Sequence, residues 1–399
     1  MIDTHENAAP AIDPLEGESL LRHVSALAYN IGPRPAGHDT EARARTYIRK
    51  ALNEIGITEI KAQPFETPDS WAYALGTPFA LSLTGMLLGR LGKLGRFAGA
   101  ILGAAGAYLT WRAVSGLRQP LDRVGTQRTS ANLIVRIPPT GRYRNTMVLL
   151  AHTDTNRHRE SFSSSRKASL PTTATALIGL QAAGAVAQVT GGNWLSNVIT
   201  AGQIAGLGAI VADEKGNFVD GANDNASAVA CLLGIGAALH AQPLQHTEVW
   251  LVFTGAEEVG LKGVHALLDE YGEQQMRRAG FLNFEMVGRG NLAYVTHHSG
   301  FSHLSDYAPD SESVALVERT AHANRRFGVF GTKMMMLDQV AALRRRGYRG
   351  ISLVGLDVDG WPANWHSATD AIGNIQPEAL ERAARFGLAI LQTLDTESH

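Results

Sequence analysis

Short apolar segments alternate with segments of helical periodicity along much of this 399-residue chain. The segment TMVLLA at 146–151 is almost wholly apolar, and a strand of that composition is buried on both faces of a sheet. The segment at 39–55 instead repeats apolar residues at three- and four-residue steps, which predicts a helix. Such alternation is typical of an α/β fold, with a mostly parallel central sheet and helices on both faces.

The same patterns predict where the individual elements lie. Strands are expected at 58–65, 131–137, 146–151, 248–254, 281–285, 291–296 and 350–354. Helices are expected at 39–55, 225–240, 263–271, 311–327, 337–346 and 377–394.

Three stretches without any charged residue, at 70–89, 97–111 and 168–212, interrupt this pattern. The basic sequence RLGKLGR joins the first two, and glycines recur in them at a four-residue spacing that lets helix backbones approach closely. We therefore expect apolar helical insertions in a larger domain. The division is a main domain at 1–69, 126–159 and 216–399, an apolar helical hairpin at 70–125 and a second apolar insertion at 160–215.

The hairpin within 70–114 has two interpretations. Its arms approach the roughly 20 residues that a membrane-spanning helix needs, and the positive-inside rule would then place the basic loop in the cytoplasm and the main domain outside. The alternative is a soluble hairpin that packs on the main domain or on a second subunit in a homodimer. In either case we expect both insertions to pack together near the functional site. The protein is accordingly expected to be membrane-associated or, alternatively, cytoplasmic.

Charge and cysteine content exclude several classes of protein. Lys and Arg total 36 and Asp and Glu total 37, for a net charge of -1. This balance lacks the basic excess that a general affinity for nucleic acid requires. The single cysteine, Cys231, excludes an intrachain disulfide framework. Residues 1–20 are polar and acidic and lack the apolar core of a secretory signal peptide.

Histidines and carboxylates cluster at the predicted strand ends, where functional groups of α/β sheets gather. They are His152 and Asp154 after 146–151, Glu257 and Glu258 after 248–254, Glu285 at the end of 281–285, Asp224 before the helix at 225–240, and His366 after the last strand. Each residue alone also fits a surface turn, a solvated loop or a helix N-cap. Together they form the mixed nitrogen and oxygen ligand set that zinc favours.

The sequences around these residues resemble the M28 family of zinc aminopeptidases, which are related to the other co-catalytic zinc exopeptidases. The similar segments are IGPRPAGHDTEARARTYIRKALNEIG at 31–56, VLLAHTDT at 148–155, DGANDNASAVA at 220–230, VFTGAEEVGLKGVHALL at 252–268, FLNFEMVG at 281–288 and NWHSATDAIGNI at 364–375. They cover most of the chain in the family's order, and 70–125 and 160–215 fall outside them. The resemblance implies that the main domain is a catalytic domain and that it removes N-terminal residues from peptides.

The resemblance also implies two zinc ions and assigns their ligands. His152 and Glu285 would hold one zinc, and Glu258 and His366 would hold the other. Asp224 would bridge the two ions.

Three further residues match supporting roles in the family. Glu257 matches the general base, which takes a proton from the zinc-activated water and passes it to the leaving amine. Asp154 and Asp370 match carboxylates that hold the site and fix imidazole orientation.

Two positions depart from the family's pattern. The family usually has Asp where this chain has Glu285, and the extra methylene changes the geometry and affinity of that zinc site. Trp365 stands where aminopeptidases often have Tyr, and a tryptophan there is typical of glutaminyl cyclases, which share the fold and keep one zinc. The alternatives are therefore a glutaminyl cyclase-like acyltransferase or a non-catalytic membrane or assembly protein on the same fold. Since every ligand position is filled, the sequence favours the aminopeptidase.

Other polar residues are expected to serve structure. Asp338 precedes an apolar helix and is expected to cap it. Arg34 lies in the turn GPRPAG and is expected to stabilise it. The histidines His297, His298 and His303 are expected to lie in a solvated loop.

Overall fold

An eight-stranded mixed sheet forms the centre of the computed structural model, which describes residues 13–191 and 193–397. Its strands are β1 (Ile60–Pro68), β2 (Gln127–Ile137), β3 (Asn145–His152), β4 (Thr247–Thr254), β5 (Gly280–Glu285), β6 (Asn291–His298), β7 (Phe330–Met334) and β8 (Ile351–Leu356). They are ordered β1-β2-β4-β3-β5-β8-β6-β7. The central pairs β4–β3, β3–β5 and β5–β8 are parallel, as is β6–β7, whereas β1–β2, β2–β4 and β8–β6 are antiparallel.

Helices cover both faces of this sheet, as the alternating pattern predicts. The α-helices of the described residues are α1 (Gly17–Val24), α2 (Asp39–Glu54), α3 (Ala72–Leu88), α4 (Lys93–Ala113), α5 (Leu170–Thr190), α6 (Asn193–Asp213), α7 (Ser227–Ala241), α8 (Lys262–Leu267), α9 (Ser311–Ala323), α10 (Gln339–Arg345) and α11 (Pro377–Thr396). On one face, α1, α2, α7, α9 and α11 share a core with Leu149 and Leu251. On the other face, α8 and α10 pack with Val148 and Trp250. Neighbouring residues of each strand thus enter opposite cores.

Several local features differ from the predicted elements, and α1 (Gly17–Val24) is one that the sequence pattern does not predict. The sequence pattern does not predict β7, because this strand is short, lies at the sheet edge and is largely exposed. The helix expected at 263–271 ends at Leu267, and a π-helical segment continues from Leu268 to Met276. Residues 1–12 of the predicted main domain lie outside the described residues.

The two charge-free insertions form two helical hairpins, which pack together as a four-helix bundle of α3, α4, α5 and α6. Glycines permit the closest contacts in the bundle. A Cβ added to Gly85 would lie 2.6 Å from the carbonyl oxygen of Gly99, and the reciprocal distance would be 2.4 Å. Gly103 packs in the same way against Ala185 of α5. The small residues therefore bring these helix backbones together, as their spacing indicates.

Within the described residues, four helical segments are long and apolar enough to cross a membrane. They are Ala72–Leu91, Lys167–Thr190, Trp194–Asp213 and Ala222–Ala241. The first three belong to the bundle, and at most 39% of each is buried. The fourth contains α7 and is 78% buried, so its apolar residues serve the core of the main domain.

Candidate metal centre

His152 and Glu285 meet at the carboxyl edge of the parallel strands. His152 is the last residue of β3, and Glu285 is the last residue of the neighbouring strand β5. His152 Nε2 lies 3.2 Å from Glu285 Oε1 and 3.2 Å from Asp224 Oδ1. All three side chains are buried. The parallel pairing of β3 and β5 thus brings together residues that are far apart in the sequence.

His366 forms the second half of the cluster. Its Nε2 lies 3.2 Å from Glu258 Oε2 and 3.3 Å from Asp224 Oδ2. Asp224 therefore directs one carboxylate oxygen at His152 and the other at His366. This arrangement fits a carboxylate shared by two metal ions, and each half offers the imidazole and carboxylate donors that zinc binds.

The burial of these groups provides a further test of whether the residues fit a metal. His152, Asp224 and Glu258 each offer a ligand atom within 4.8 Å of the others. Glu258 Oε1 is buried and has no hydrogen-bond partner among the residues described. An unpaired buried carboxylate oxygen is unfavourable. A divalent cation would supply its missing partner, so the cluster fits a metal ion.

The carboxylates favour the charged form of both imidazoles. Burial opposes protonation, but Glu285, Asp154 and Asp224 raise the pKa of His152 well above its usual value. Burial likewise opposes protonation of His366, but Glu258 and Asp224 raise the pKa of His366 to about 9. A metal ion binds the neutral imidazole, so it must displace these protons.

Zinc binding to the metal-free protein is therefore expected to release protons at neutral pH. Because the pKa of His366 is raised to about 9, the apparent affinity should weaken as the pH falls below that value, by about tenfold per pH unit for each proton displaced. Isothermal titration calorimetry in buffers of different ionisation enthalpy measures the protons released. A binding heat that does not depend on the buffer would contradict this expectation.

Asp154 holds the backbone that carries the two adjacent glutamates. Its Oδ1 accepts the N–H of Glu257 at 2.9 Å, and its Oδ2 accepts the N–H of Glu258 at 3.0 Å. The same carboxylate lies 3.6 Å from His152 Nδ1, which is a longer contact than these hydrogen bonds. The Asp154 carboxylate thus fixes the two glutamates relative to each other, while its backbone carbonyl oxygen lies 3.1 Å from His152 Nδ1 and contacts the imidazole.

The carboxylate of Asp370 binds the backbone of the loop that carries Asp224. It accepts the backbone N–H of Asn223 at 2.7 Å and that of Asp224 at 3.0 Å. His366 Nδ1, which the resemblance would pair with such a carboxylate, is buried without a hydrogen-bond partner in the part of the chain that the structure describes. Asp370 therefore positions the loop that carries Asp224, and these two hydrogen bonds do not involve the imidazole of His366.

Three residues at the centre have a left-handed backbone that residues with a side chain rarely adopt. The φ angles are 51° at Ala256, 48° at Met286 and 48° at His366. Ala256 precedes Glu257, and Met286 follows Glu285. The chain therefore turns sharply where it presents an acid or an imidazole, and such strained positions concentrate at functional sites.

Asn156 also belongs to the centre, although the sequence pattern does not single it out. Its Nδ2 lies 2.6 Å from Glu258 Oε2 and 3.2 Å from His366 Nε2. Arg159 fixes this orientation, because its Nε donates to Asn156 Oδ1 at 2.8 Å. Arg159 also donates its backbone N–H to the His366 carbonyl at 2.9 Å and pairs with Glu214 at 2.7 Å, just after α6. These contacts connect the metal centre to the bundle.

Asp338 caps α10 and in addition borders the metal centre. Its Oδ1 accepts the N–H of Val340 at 3.0 Å, as expected of an N-cap. Asn283 Nδ2 lies 3.3 Å from Asp338 Oδ2 and 3.3 Å from Glu285 Oε2. The buried side-chain amide of Asn283 therefore links Asp338 to the candidate ligand Glu285. The local sequence does not predict this contact.

His298 is buried, which corrects the expectation that all three neighbouring histidines are solvated. Its ring stacks on Tyr307 with a centroid distance of 4.2 Å, and its side chain is inaccessible to solvent. Burial lowers the pKa of His298 to about 4. His297 instead pairs with Asp306 at 3.2 Å at the surface. Successive strand residues point to opposite faces, which separates these two histidines.

Arg34 connects the loops that carry two of the candidate ligands. Its guanidinium is buried and donates to five carbonyl oxygens, those of Leu27, Gly32, Thr153, Asp220 and Gly221. Thr153 follows His152, and Gly221 lies three residues before Asp224. These contacts agree with the structural role expected of Arg34.

Replacing Arg34 by methionine is expected to lower the free energy of unfolding by about 3 kcal/mol or more, because buried carbonyl groups lose a charged donor. Chemical denaturation of the metal-free protein measures the change. The matched variant Arg325→Met removes an exposed arginine, and its effect should stay within about 0.5 kcal/mol. Equal stability of the two variants would contradict the expected effect.

The free space beside the candidate ligands is about 50 Å³. Trp71, Gln119, Phe301 and Trp365 contribute to its walls. Gln119 is buried, and its Nε2 has no hydrogen-bond partner within the described ranges. The space is far smaller than the roughly 300–1,000 Å³ of most ligand pockets.

Solved structures share this fold over almost the whole chain. BSAP, a zinc aminopeptidase from Bacillus subtilis, is 16% identical with a TM-score of 0.58, over 96% of this chain and 95% of that one. An aminopeptidase from Aneurinibacillus sp. strain AM-1 is 16% identical with a TM-score of 0.57, over 95% and 94% of the two chains. A glutaminyl cyclase from an Acidobacteriales bacterium is 17% identical with a TM-score of 0.55, over 100% and 99%. At these identities the likeness establishes the fold, which both kinds of enzyme share.

One family model matches part of the sequence. No curated protein sequence matches the chain. Residues 201–391 match the sequence model of Peptidase family M28. This range contains Asp224, Glu257, Glu258, Glu285 and His366, and it supports a metal-dependent peptidase. The model of this family thus matches the part of the chain that carries five of the candidate site residues.

Proposed function

We propose that this chain is a zinc-dependent aminopeptidase that hydrolyses the N-terminal residue of peptides. The observation that carries this proposal is the position of Asp224, whose two oxygens face His152 and His366 at 3.2 and 3.3 Å. Glu257 lies directly before the candidate ligand Glu258 and lines the same space. A shared carboxylate beside an uncommitted carboxylate is what hydrolysis with two metal ions and a general base requires.

The proposal assigns His152 and Glu285 to one zinc, Glu258 and His366 to the other, and Asp224 to both. When bound, zinc lowers the pKa of a water molecule and polarises the carbonyl group of the scissile amide. The longer side chain of Glu285 is accommodated, because its Oε1 already lies 3.2 Å from His152 Nε2. The departure from Asp therefore leaves a complete set of donors.

Glu257 acts as the general base in this scheme. It accepts a proton from the attacking water, whose oxygen forms a bond with the carbonyl carbon. The C–N bond then breaks, and Glu257 delivers the proton to the departing amine nitrogen. Burial raises the pKa of Glu257 well above its usual range, and Glu258 adds to this shift. Bound cations would oppose the shift and keep the carboxylate able to accept the proton.

A panel of aminoacyl amides tests the activity. The purified protein should hydrolyse at least one of them, lose activity when a chelator removes the metal, and regain it when zinc is added. Elemental analysis of the same samples gives the metal content. A zinc-loaded protein without turnover on any amide of the panel would contradict the proposal.

A glutaminyl cyclase-like activity is the second candidate, and Trp365 favours it. The ring of Trp365 packs against Phe162 at a centroid distance of 4.8 Å, next to His366. A peptide that begins with glutamine separates the two activities. Hydrolysis of its first peptide bond consumes water and releases free glutamine, whereas cyclisation releases ammonia and leaves the peptide chain intact. Mass spectrometry of the products distinguishes these outcomes.

We also propose that the bundle anchors the catalytic domain in a membrane. Thirteen of the nineteen large apolar side chains exposed among the described residues lie at 72–113 or 170–213. Leu94, Phe97 and Trp194 are 87%, 69% and 76% exposed. The four helices contain 17 to 21 residues, a length of about 25–32 Å that suits the hydrocarbon core of a bilayer. Helices that are apolar on all sides are buried in protein or in lipid. The three bundle segments that are apolar enough to cross a membrane are at most 39% buried in protein.

The charges at the ends of the bundle indicate its orientation. The turn between α3 and α4 contains Arg90, Lys93 and Arg96 and no acidic residue. Arg90 donates to Asn197 Oδ1 at 3.0 Å, so the turns of both hairpins lie at the same end. The positive-inside rule places this end in the cytoplasm and the catalytic domain on the opposite side of the membrane.

Cell fractionation and labelling test the anchor and its orientation. The protein should remain in the membrane fraction until detergent is added, and a wholly soluble protein would contradict the anchor. Because the single cysteine, Cys231, is buried, Lys93→Cys and Glu59→Cys each provide one accessible thiol. An impermeant maleimide applied to intact cells should label only the second variant, and labelling only the first would reverse the orientation.

A further inference from the structure

A second cavity of about 530 Å³ lies where the bundle meets the catalytic domain. Residues 170–177 of α5 and 206–213 of α6 form its sides, and Phe79 of α3 and Thr110 of α4 contribute to its floor. Most of its lining is apolar. We call this cavity the base groove. Its volume lies within the range of about 300–1,000 Å³ that is usual for small-molecule sites.

The base groove opens through the outer surface of the bundle. The helices α5 and α6 touch at Leu177 and Gly206, since a Cβ on Gly206 would lie 2.7 Å from Leu177 Cδ2. Closer to the catalytic domain, Thr173 and Ala209 line the groove and are exposed. The outer surface beside the opening is apolar and includes Val211, which is 50% exposed. A ligand therefore reaches the groove from the same surface that we assign to lipid.

The base groove shares a wall with the metal centre. Trp71 and Phe301 line both spaces, and their ring centroids are 5.9 Å apart. Phe162 lies 5.8 Å from Phe301 and 4.3 Å from the ring of His366, again between centroids. The aromatic wall of Trp71, Phe162 and Phe301 thus lies between an apolar cavity of about 530 Å³ and a catalytic space of about 50 Å³. Movement of Trp71 or Phe301 would join the two.

The polar groups of the groove indicate what kind of molecule fits it. At its rim, Ser161 donates to Asp213 at 2.7 Å and Arg159 pairs with Glu214 at 2.7 Å, so these groups are already satisfied. On the floor, Thr110 is 3% exposed, and its Oγ1 has no hydrogen-bond partner among the residues that the structure covers. A mainly hydrocarbon molecule with a polar atom near one end matches this lining.

We infer that the base groove binds an unbranched alkyl chain and that the substrates are amphiphilic aminoacyl amides carrying such a chain. The chain enters between α5 and α6 and lies against Trp71 and Phe301, which places the attached amide beside the candidate ligands. The substrate class rests on the proposed peptidase activity. The affinity of the groove for an alkyl chain does not rest on that activity. The substrate class and the affinity are therefore tested by separate measurements.

The substrate class is tested with alanyl-n-alkylamides of increasing chain length, from methyl to dodecyl, on the protein in lipid nanodiscs. For the unchanged protein, kcat/KM should rise about threefold to fourfold for each methylene that the groove buries. Ala174→Phe places a large ring in the groove and should abolish this rise while leaving the methylamide unaffected. Ala176→Phe adds the same ring on an exposed position of α5 outside the groove and should preserve the rise. The same dependence on chain length in all three proteins would overturn the inference.

Binding of the chain is tested without turnover, by quenching of tryptophan fluorescence with a bromine-labelled dodecyl alcohol. The alcohol should quench Trp71, so Trp71→Phe and Ala174→Phe should each remove most of the saturable quenching, whereas Ala176→Phe should not. Quenching that Ala174→Phe leaves unchanged would show that the chain binds elsewhere and would overturn the inference. If quenching behaves as expected but kcat/KM does not depend on chain length, the groove holds a lipid chain and the substrate class is wrong. If no amide is hydrolysed, the proposed activity fails, and the quenching alone decides the ligand of the groove.

Discussion

Replacing Glu257 by glutamine is expected to lower kcat by about a hundredfold to ten-thousandfold without changing the metal content. Glutamine has nearly the same shape as glutamate, but its amide cannot accept the proton of the attacking water. The backbone of the variant should stay in place, because the hydrogen bond from the Glu257 N–H to Asp154 at 2.9 Å does not involve the side chain. Initial rates on an aminoacyl amide and elemental analysis of the same samples measure both quantities.

A matched substitution distinguishes this loss from a general effect of removing a carboxylate. Glu59 is exposed and directly precedes the edge strand β1, which β2 separates from β4. Glu59→Gln should therefore keep the kcat of the unchanged protein. The assignment of Glu257 as general base would be wrong if Glu257→Gln kept its turnover, or if it lost its metal together with its activity.

Replacing Asp224 by alanine is expected to remove both metal ions and to lower kcat/KM by about a thousandfold or more, since the metal contributes several kcal/mol to transition-state stabilisation. Asp224 faces both imidazoles through its two oxygens, so its loss affects both halves of the cluster. In contrast, His366→Ala removes a donor from one half only. Elemental analysis should therefore show that Asp224→Ala retains almost no zinc, whereas His366→Ala retains the ion assigned to His152 and Glu285.

The ratio of zinc to protein in these variants decides between two ions and one. If Asp224 bridges two ions, the unchanged protein holds more zinc than His366→Ala, and His366→Ala holds more than Asp224→Ala. A cyclase-like centre with one ion on Asp224, Glu258 and His366 would instead lose all its zinc in both variants. Equal zinc in Asp224→Ala and the unchanged protein would show that Asp224 is not a ligand.

Much of the catalytic fold could be predicted from local patterns. The apolar segment at 146–151 predicts a buried strand, and the structure places β3 in the interior of the sheet between β4 and β5. The period of the apolar residues and the local composition depend only on residues that are close in the sequence. Strands and helices can therefore be predicted from them without the tertiary structure. The edge strand β7 could not be found in this way, because its sequence has no alternation and its position depends on pairing with β6. His298 was expected to be solvated for a related reason, since its burial depends on stacking against Tyr307.

The candidate site could likewise be predicted from the sequence only in part. The strand ends alone determined that His152, Glu258 and Glu285 lie at one edge of the sheet, because parallel strands present their carboxyl ends together. The glycines and the missing charges determined that the insertions are closely packed apolar helices. Only the tertiary structure decided that Asp224 faces two imidazoles, that Asp370 holds its loop, and that an aromatic wall separates the metal centre from the base groove. These relations are set by contacts between residues that are 72 or more positions apart in the sequence, and a local sequence pattern carries no information about such contacts.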